Sequence, residues 1–130
     1  MHREARGAVR FLLVYVREAH ALEEWVSEDN VRPGVAVSQP TSVDGRRDAA
    51  RTMCGRLDVS MPAVADTIDD RVATLYGAWP DRIYVLDESG VVVHKTAVGP
   101  FGFHTTDVRD LLVARWGLTL SPATYVPPKM

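Results

Sequence analysis

Glu18-Ala19-His20 follows, after the single residue Arg17, on the apolar run Phe11-Leu12-Leu13-Val14-Tyr15-Val16. An acid and an imidazole two positions apart, at the exit of a strand, make a small proton-handling unit. Imidazole titrates near neutrality, so His20 can deliver or take up a proton under ordinary conditions. Glu18 would orient the ring or set its tautomer. The plainer alternatives are a loop histidine bonded to backbone and a solvated acid. Tyr15 could present its hydroxyl at the same edge, or be a core aromatic whose hydroxyl is satisfied at the rim.

A second candidate cluster is Trp79-Pro80-Asp81-Arg82. Pro80 stands just ahead of a strand and is a candidate for a cis peptide bond. Asp81 and Arg82 offer both signs of charge to a substrate's charged end, or are an exposed pair at a strand start. Trp25 and Trp79 would flank an aromatic substrate, or simply pack. The single cysteine, Cys54, falls mid-helix between Met53 and Leu57 on an apolar face. A reactive thiolate needs a helix N-terminus or a cationic neighbour, so a structural role is expected for it. One cysteine excludes an internal disulfide, a self-contained dithiol cycle and a cysteine-based zinc site. The four histidines, His2, His20, His94 and His104, have no metal-ligand spacing, and no metal is expected.

The elements that must position these residues can be read from periodicity. Residues 1–8 read as the end of a helix with Gly7 as its stop. Residues 11–16, continuously apolar and rich in β-branched and aromatic types, read as a strand buried on both faces, hence a parallel sheet. Asn30 to Pro40 reads as loop. From Ser42 a helix is expected, capped by Thr41 or Ser42. Val43, Ala50, Met53, Cys54 and Leu57 face inward, and Arg46, Arg47, Asp48 and Arg51 mostly face away. A strand at 61–66 follows, then a helix opened by Thr67 or Asp69, carrying Val72, Leu75 and Tyr76 and ended by Gly77. Arg82–Leu86 and Val91–His94 form a hairpin around Asp87-Glu88-Ser89-Gly90. The last helix starts at Thr105 or Thr106, with Val108, Leu111, Leu112 and Trp116 on its inner side. Residues 118–130, with three prolines, read as a loose tail.

This order gives an α/β fold: a thioredoxin-like mixed sheet with helices on both faces, its first strand–helix unit missing or truncated. The expected division is one domain over 1–117 and a tail over 118–130. The chain's 130 residues, 46% hydrophobic and 25% charged, suit one soluble domain. A net charge of −2 provides no field to recruit nucleic acid or anionic lipid. No apolar run approaches the roughly 20 residues of a membrane span, and no secretory signal stands at the start, so a cytoplasmic location is expected.

Residues 11–116 resemble the iodothyronine deiodinases and their bacterial relatives. The resemblance rests on the strand ending in Glu18-Ala19-His20, on Trp25, and on Gln39 with Arg47, Ala49, Ala50 and Arg51. Asp66-Thr67, Tyr76-Gly77-Ala78, Arg82-Ile83-Tyr84-Val85, Gly99-Pro100 and Val108-Arg109 complete it. Two positions depart from the family: a second histidine aligns with Pro40, and an arginine ahead of Gly-Pro aligns with Val98. The family's acidic residue before its Arg-Leu-Tyr run is kept as Asp81.

The resemblance implies an oxidoreductase that removes iodine reductively from an iodinated phenol through a selenolate or thiolate, with an external thiol as reductant and no bound cofactor. His20, Glu18 and Tyr15 would be catalytic, and Trp25, Pro80, Asp81 and Arg82 would bind substrate. In the family the selenocysteine lies upstream of the Glu-Ala-His strand. The expectation is therefore of a truncated, inactive chain whose nucleophile belongs to a preceding segment. Selenocysteine is written as a stop codon, so a reading frame opened at the next methionine would begin near Met1. The competing readings are a non-catalytic binding domain that relieves its exposed strand edge by homodimerisation, and a fragment of a general thiol peroxidase or reductase.

Overall fold

The computed structural model describes residues 1–24 and 37–122. The expected α/β class is observed. In chain order the elements are α1 (His2–Ala5), β1 (Leu13–Tyr15), α2 (Val43–Arg56), β2 (Ala63–Ala65), α3 (Arg71–Tyr76), β3 (Tyr84–Leu86), β4 (Val92–Lys95) and α4 (Thr105–Trp116). The strands form two ladders rather than one mixed sheet. β1 pairs with β2 in parallel, Leu13 opposite Ala63 and Tyr15 opposite Ala65. β3 pairs with β4 antiparallel, with an irregularity between Val85 and Leu86. Among the described residues no ladder joins β1 to β3.

Local chemistry accounts for most boundaries. Ser42 caps α2, its hydroxyl accepting from Gly45 N–H at 3.0 Å. Gly77 ends α3 with φ of 53°, a left-handed conformation in which a side chain would be strained. Asp87 builds the hairpin turn: its carboxylate accepts from Ser89 N–H and Val91 N–H, both at 3.0 Å. Thr96 extends the hairpin, donating its N–H to Ile83 O and accepting Ile83 N–H on its hydroxyl, each at 3.0 Å. The main core lies between α4 and the hairpin, where Val85, Val108 and Leu112 pack with Ala5 and Leu120. Burying a leucine such as Leu112 contributes about 1.5–3 kcal/mol.

Several expectations need correction. Arg46 does not face solvent; it is 2% exposed. It lies on the same helical face as Val43, Ala50 and Met53, and two partners make its burial tolerable. It donates to Thr67 O and pairs with the Asp70 carboxylate at 2.8 Å. Leu57 leaves that inner face at the end of α2 and is 69% exposed. β1 is not buried on both faces, since Leu12 just ahead of it is 61% exposed. The helix packed on the parallel pair is α2, which lies against β2.

α3 begins later than expected, after Asp70 in a left-handed conformation, and Leu75 and Tyr76 are exposed. The start of the supposed loose tail is packed. Leu120 is buried, Arg109 donates to Leu120 O and Ser121 O, and Ser121 bonds Glu4. Residues 123–130 of that expected tail, and much of the expected loop 30–40, lie outside the described residues.

Asp66 is the other buried charge, 1% exposed. Its carboxylate accepts N–H bonds from the adjacent Thr67 at 2.8 Å and from two free N-terminal donors of α3, Val72 at 2.9 Å and Ala73 at 2.8 Å. Burial opposes its charge, but the three N–H groups outweigh burial and hold the carboxyl below the usual aspartate range. Asp66→Ala strands three N–H groups and is expected to cost roughly 3 kcal/mol in urea denaturation. Because the folded pKa is depressed, Asp66 stabilises the fold above the ordinary aspartate pKa of about 3.9. The stability gap between wild type and Asp66→Asn should therefore close as pH falls through the lower, folded value.

Candidate functional site

Parallel pairing brings the carboxyl ends of β1 and β2 to one edge. Asp66 N–H donates to Tyr15 O at 2.8 Å and carries the ladder one residue past β2. Beyond it the two chains leave the sheet, and this edge is where open α/β sheets present ligand-binding groups. Arg17, Glu18 and His20 come off β1 here, all three half-buried. The Arg17 guanidinium carbon stands 5.9 Å from the centre of the Trp79 ring, and its Nη2 pairs with Glu24 at 2.7 Å. That contact ties the exit of β1 to the bend that precedes β3.

The bend contains a cis Trp79–Pro80 bond, and a second cis bond joins Gly99 to Pro100. These two turns lie against each other. Gly99 N–H donates to Asp81 O at 3.3 Å. The Asp81 carboxylate fills the place of a side chain at residue 99, with Oδ1 1.7 Å from where a Cβ would stand. Any side chain at residue 99 would have to displace that carboxylate. Oδ1 of Asp81 is buried and has no hydrogen-bond partner among the described residues.

Glu18 is held by its backbone. Its N–H donates to Gln39 Oε1 at 3.0 Å, and its carbonyl accepts from Gln39 Nε2 at 3.1 Å. Burial raises the Glu18 carboxyl above the ordinary glutamate range, and the charge of His20 partly offsets the rise. The acid and the imidazole thus lie within electrostatic reach of one another.

Glu18 and His20 interact with each other, Asp81 is seated on Gly99, and the Arg17–Trp79 contact links the two loops. Tyr15 is a buried core side chain. The Arg82 guanidinium turns to the C-terminus of α3, with Nη1 3.4 Å from Tyr76 O, where Tyr84 also donates its hydroxyl at 2.5 Å. Trp25 lies outside the described residues. Cys54, the chain's one thiol, lines a groove with Arg47, Arg51, Ala63 and Val64 that includes none of the edge residues. Among the described residues no group of three His, Cys, Asp or Glu could hold a metal ion. No helix among them is long and apolar enough to cross a membrane.

Sequence reasoning missed Arg17, the bonding of Gln39 and the seat of Asp81 on Gly99. The Gly99-Pro100 pair reads as a turn in sequence, but nothing local shows what lies above the glycine. The edge thus carries an acid and an imidazole on the turn whose Arg17 reaches over Trp79, and Cys54 lies elsewhere.

Two outcomes follow from this geometry. Gly99→Ala forces Asp81 aside and should cost about 1–3 kcal/mol. In a double-mutant cycle with Asp81→Ala most of that cost should disappear, a coupling of roughly 1 kcal/mol or more. Glu18 has a folded pKa above its unfolded one, so the stability it permits is present at low pH and falls as pH rises through the folded value. Glu18→Gln should therefore be more stable than wild type at pH 7, with the gain absent below about pH 4, in paired urea titrations.

The sequence profile of the family described as iodothyronine deiodinase matches residues 3–115. The chain is 32% identical over 109 residues to the type I iodothyronine deiodinase of Xenopus laevis, covering 84% of this chain and 41% of that one. It is 31% identical over 105 residues to the thyroxine 5-deiodinase of Bos taurus, and 34% identical over 107 residues to that of Rattus norvegicus. Each of these two matches covers 80% of this chain and 33% of the relative. The chain thus spans between a third and about two fifths of the length of these relatives. A match over nearly the whole chain, with Glu18-Ala19-His20 at the sheet edge inside it, makes this chain a member of the iodothyronine deiodinase family.

Proposed function

We propose that the chain supplies the proton-donating and substrate-facing side of a reductive dehalogenase with a thioredoxin-like sheet, acting on an iodinated phenol. The observation that carries this reading is the Glu18–His20 pair on the turn whose Arg17 reaches over Trp79, the residue before cis-Pro80, in a chain of the deiodinase family. The nucleophile is a selenolate or thiolate from a segment that precedes β1. It attacks iodine in line with the carbon–iodine bond and takes it as I⁺. The bond's electron pair stays on the ring carbon, which takes a proton from the His20 imidazolium. The resulting selenenyl or sulfenyl iodide reacts with one external thiol, releasing iodide and a proton and leaving a mixed disulfide or selenenyl sulfide. A second thiol restores the nucleophile and leaves as the disulfide. The thiols are those of the reducing cytoplasm.

In this reading Trp79 gives the ring a flat apolar surface, while Pro80 and Asp81 form the wall beneath it. Glu18 sets the orientation of His20. Tyr15 stays in this reading as a catalytic assignment, and Trp25 and Arg82 as substrate-binding ones.

The test joins these residues to the coding sequence in frame ahead of Met1, with cysteine replacing any UGA-encoded residue. Iodide release from 3-iodotyrosine and from iodothyronines is measured with a dithiol reductant, alongside hydrogen peroxide reduction. Iodide release that falls about 100-fold or more in His20→Ala supports the reading. Peroxide reduction without iodide release identifies a general thiol peroxidase, and neither activity identifies a binding domain; both overturn the proposal.

A further inference from the structure

Among the described residues the ladder that holds β1 ends at the Tyr15–Asp66 bond, and Glu18 stands three residues beyond it. Its backbone is nevertheless paired on both sides, by one side chain. Gln39 Oε1 accepts from Glu18 N–H at 3.0 Å, and Gln39 Nε2 donates to Glu18 O at 3.1 Å. We propose that Gln39 is the positioning residue of the Glu18–His20 pair, a side-chain amide making the two backbone bonds that a neighbouring strand would make.

The assignment follows from what the two positions demand. One atom must accept and the other must donate, at the spacing of a peptide group. Among side chains only a carboxamide meets both requirements without a charge. Reversing the amide would set NH₂ against N–H and oxygen against oxygen, so the orientation is unique. The clamp is itself anchored. Gln39 N–H donates to Glu23 Oε2 at 2.9 Å, and Leu22 N–H donates to Val37 O at 3.0 Å. Residues 18–23 and 37–39 are therefore stitched together at three points, with Gln39 in two of them.

The clamped residue lies between two working side chains. Arg17, one position earlier, reaches over Trp79, and His20 follows two positions later. Fixing both peptide groups of Glu18 limits how far His20 can swing and keeps the Glu18 carboxyl half-buried beside it. Gln39 touches no reacting atom in this account. Its importance for catalysis rests on the dehalogenase reading; the clamp does not.

The test uses the 130-residue protein labelled with nitrogen-15 and carbon-13. A scalar coupling across the hydrogen bond, from Glu18 amide nitrogen to Gln39 Cδ, is expected in wild type, and its absence overturns the proposal. Gln39→Leu should accelerate hydrogen exchange at Glu18 N–H by about tenfold or more, while Asp66 N–H in the ladder stays protected. Carbon-13 relaxation should show the His20 ring more mobile in the same variant. Gln39→Glu keeps the accepting oxygen and loses the donor, so it should restore most protection at Glu18 with intermediate ring mobility. Unchanged exchange and ring relaxation in Gln39→Leu overturn the proposal. If that variant does not fold, the wild-type coupling and Gln39→Glu decide the matter. A clamp that passes while the extended protein releases no iodide removes the catalytic reading and leaves the clamp standing.

Discussion

One buried carboxylate joins the two halves of the candidate site. The backbone N–H of Asp66 extends the parallel ladder to Tyr15, which sets where β1 leaves the sheet. Its side chain gathers the N–H groups of Thr67, Val72 and Ala73, which sets where α3 begins. α3 is six residues long, stops at Gly77, and the chain reaches the cis bond at Pro80 three residues later. A single joint and a short helix therefore govern the path from the exit of β1 to Trp79, which returns to meet Arg17. Peptide N–H groups, rather than a counterion, neutralise the Asp66 charge. The cation at this turn, Arg46, binds Asp70 and the Thr67 carbonyl instead, so the two buried charges have separate partners.

How much of this could be read from sequence depends on the range of the interaction. The hairpin, the Ser42 cap and the Gly77 stop are legible because their causes lie within a few residues. The inner face of α4 is legible because a helical stripe needs only its own period. Arg46 is not, because an arginine reads as solvated until a carboxylate and a carbonyl distant in sequence are seen to close on it. Leu57 and Leu75 fail for the opposite reason, since their apolar character places them inward although no neighbour covers them. At the site, Glu18, His20 and Pro80 are legible as motif. The clamp from Gln39 and the carboxylate over Gly99 are not, because each depends on two loops meeting.

The split of the strands into two ladders bears on how the site could be completed. Among the described residues β1 pairs only with β2, and β3 only with β4. Leu12, Val64, Leu86 and Val92 are exposed on or beside these strands. Unpaired strand edges with apolar side chains are templates for another extended segment. In the proposed enzyme, a segment carrying the nucleophile would find backbone groups to pair with and apolar surface to cover. Its arrival would then add stability and chemistry together, which links folding of the complete protein to assembly of its active edge.

The electrostatics of the edge bear on the same coupling. Burial raises Glu18 and the nearby His20 charge lowers it, so the protonation of the acid depends on how much water reaches the turn. Arg17 is committed to Glu24 and to the face of Trp79, and the Asp81 carboxylate lies under the neighbouring loop. None of these charges is free to follow a substrate. An aromatic ring laid on Trp79 would exclude further water from the turn, strengthen the burial effect on Glu18 and make retention of its proton more favourable. Displacing water also removes the competing proton source, so that in the proposed reaction the ring carbon would take its proton from His20 rather than from solvent. The proton is thus best placed when the substrate, rather than solvent, closes the site.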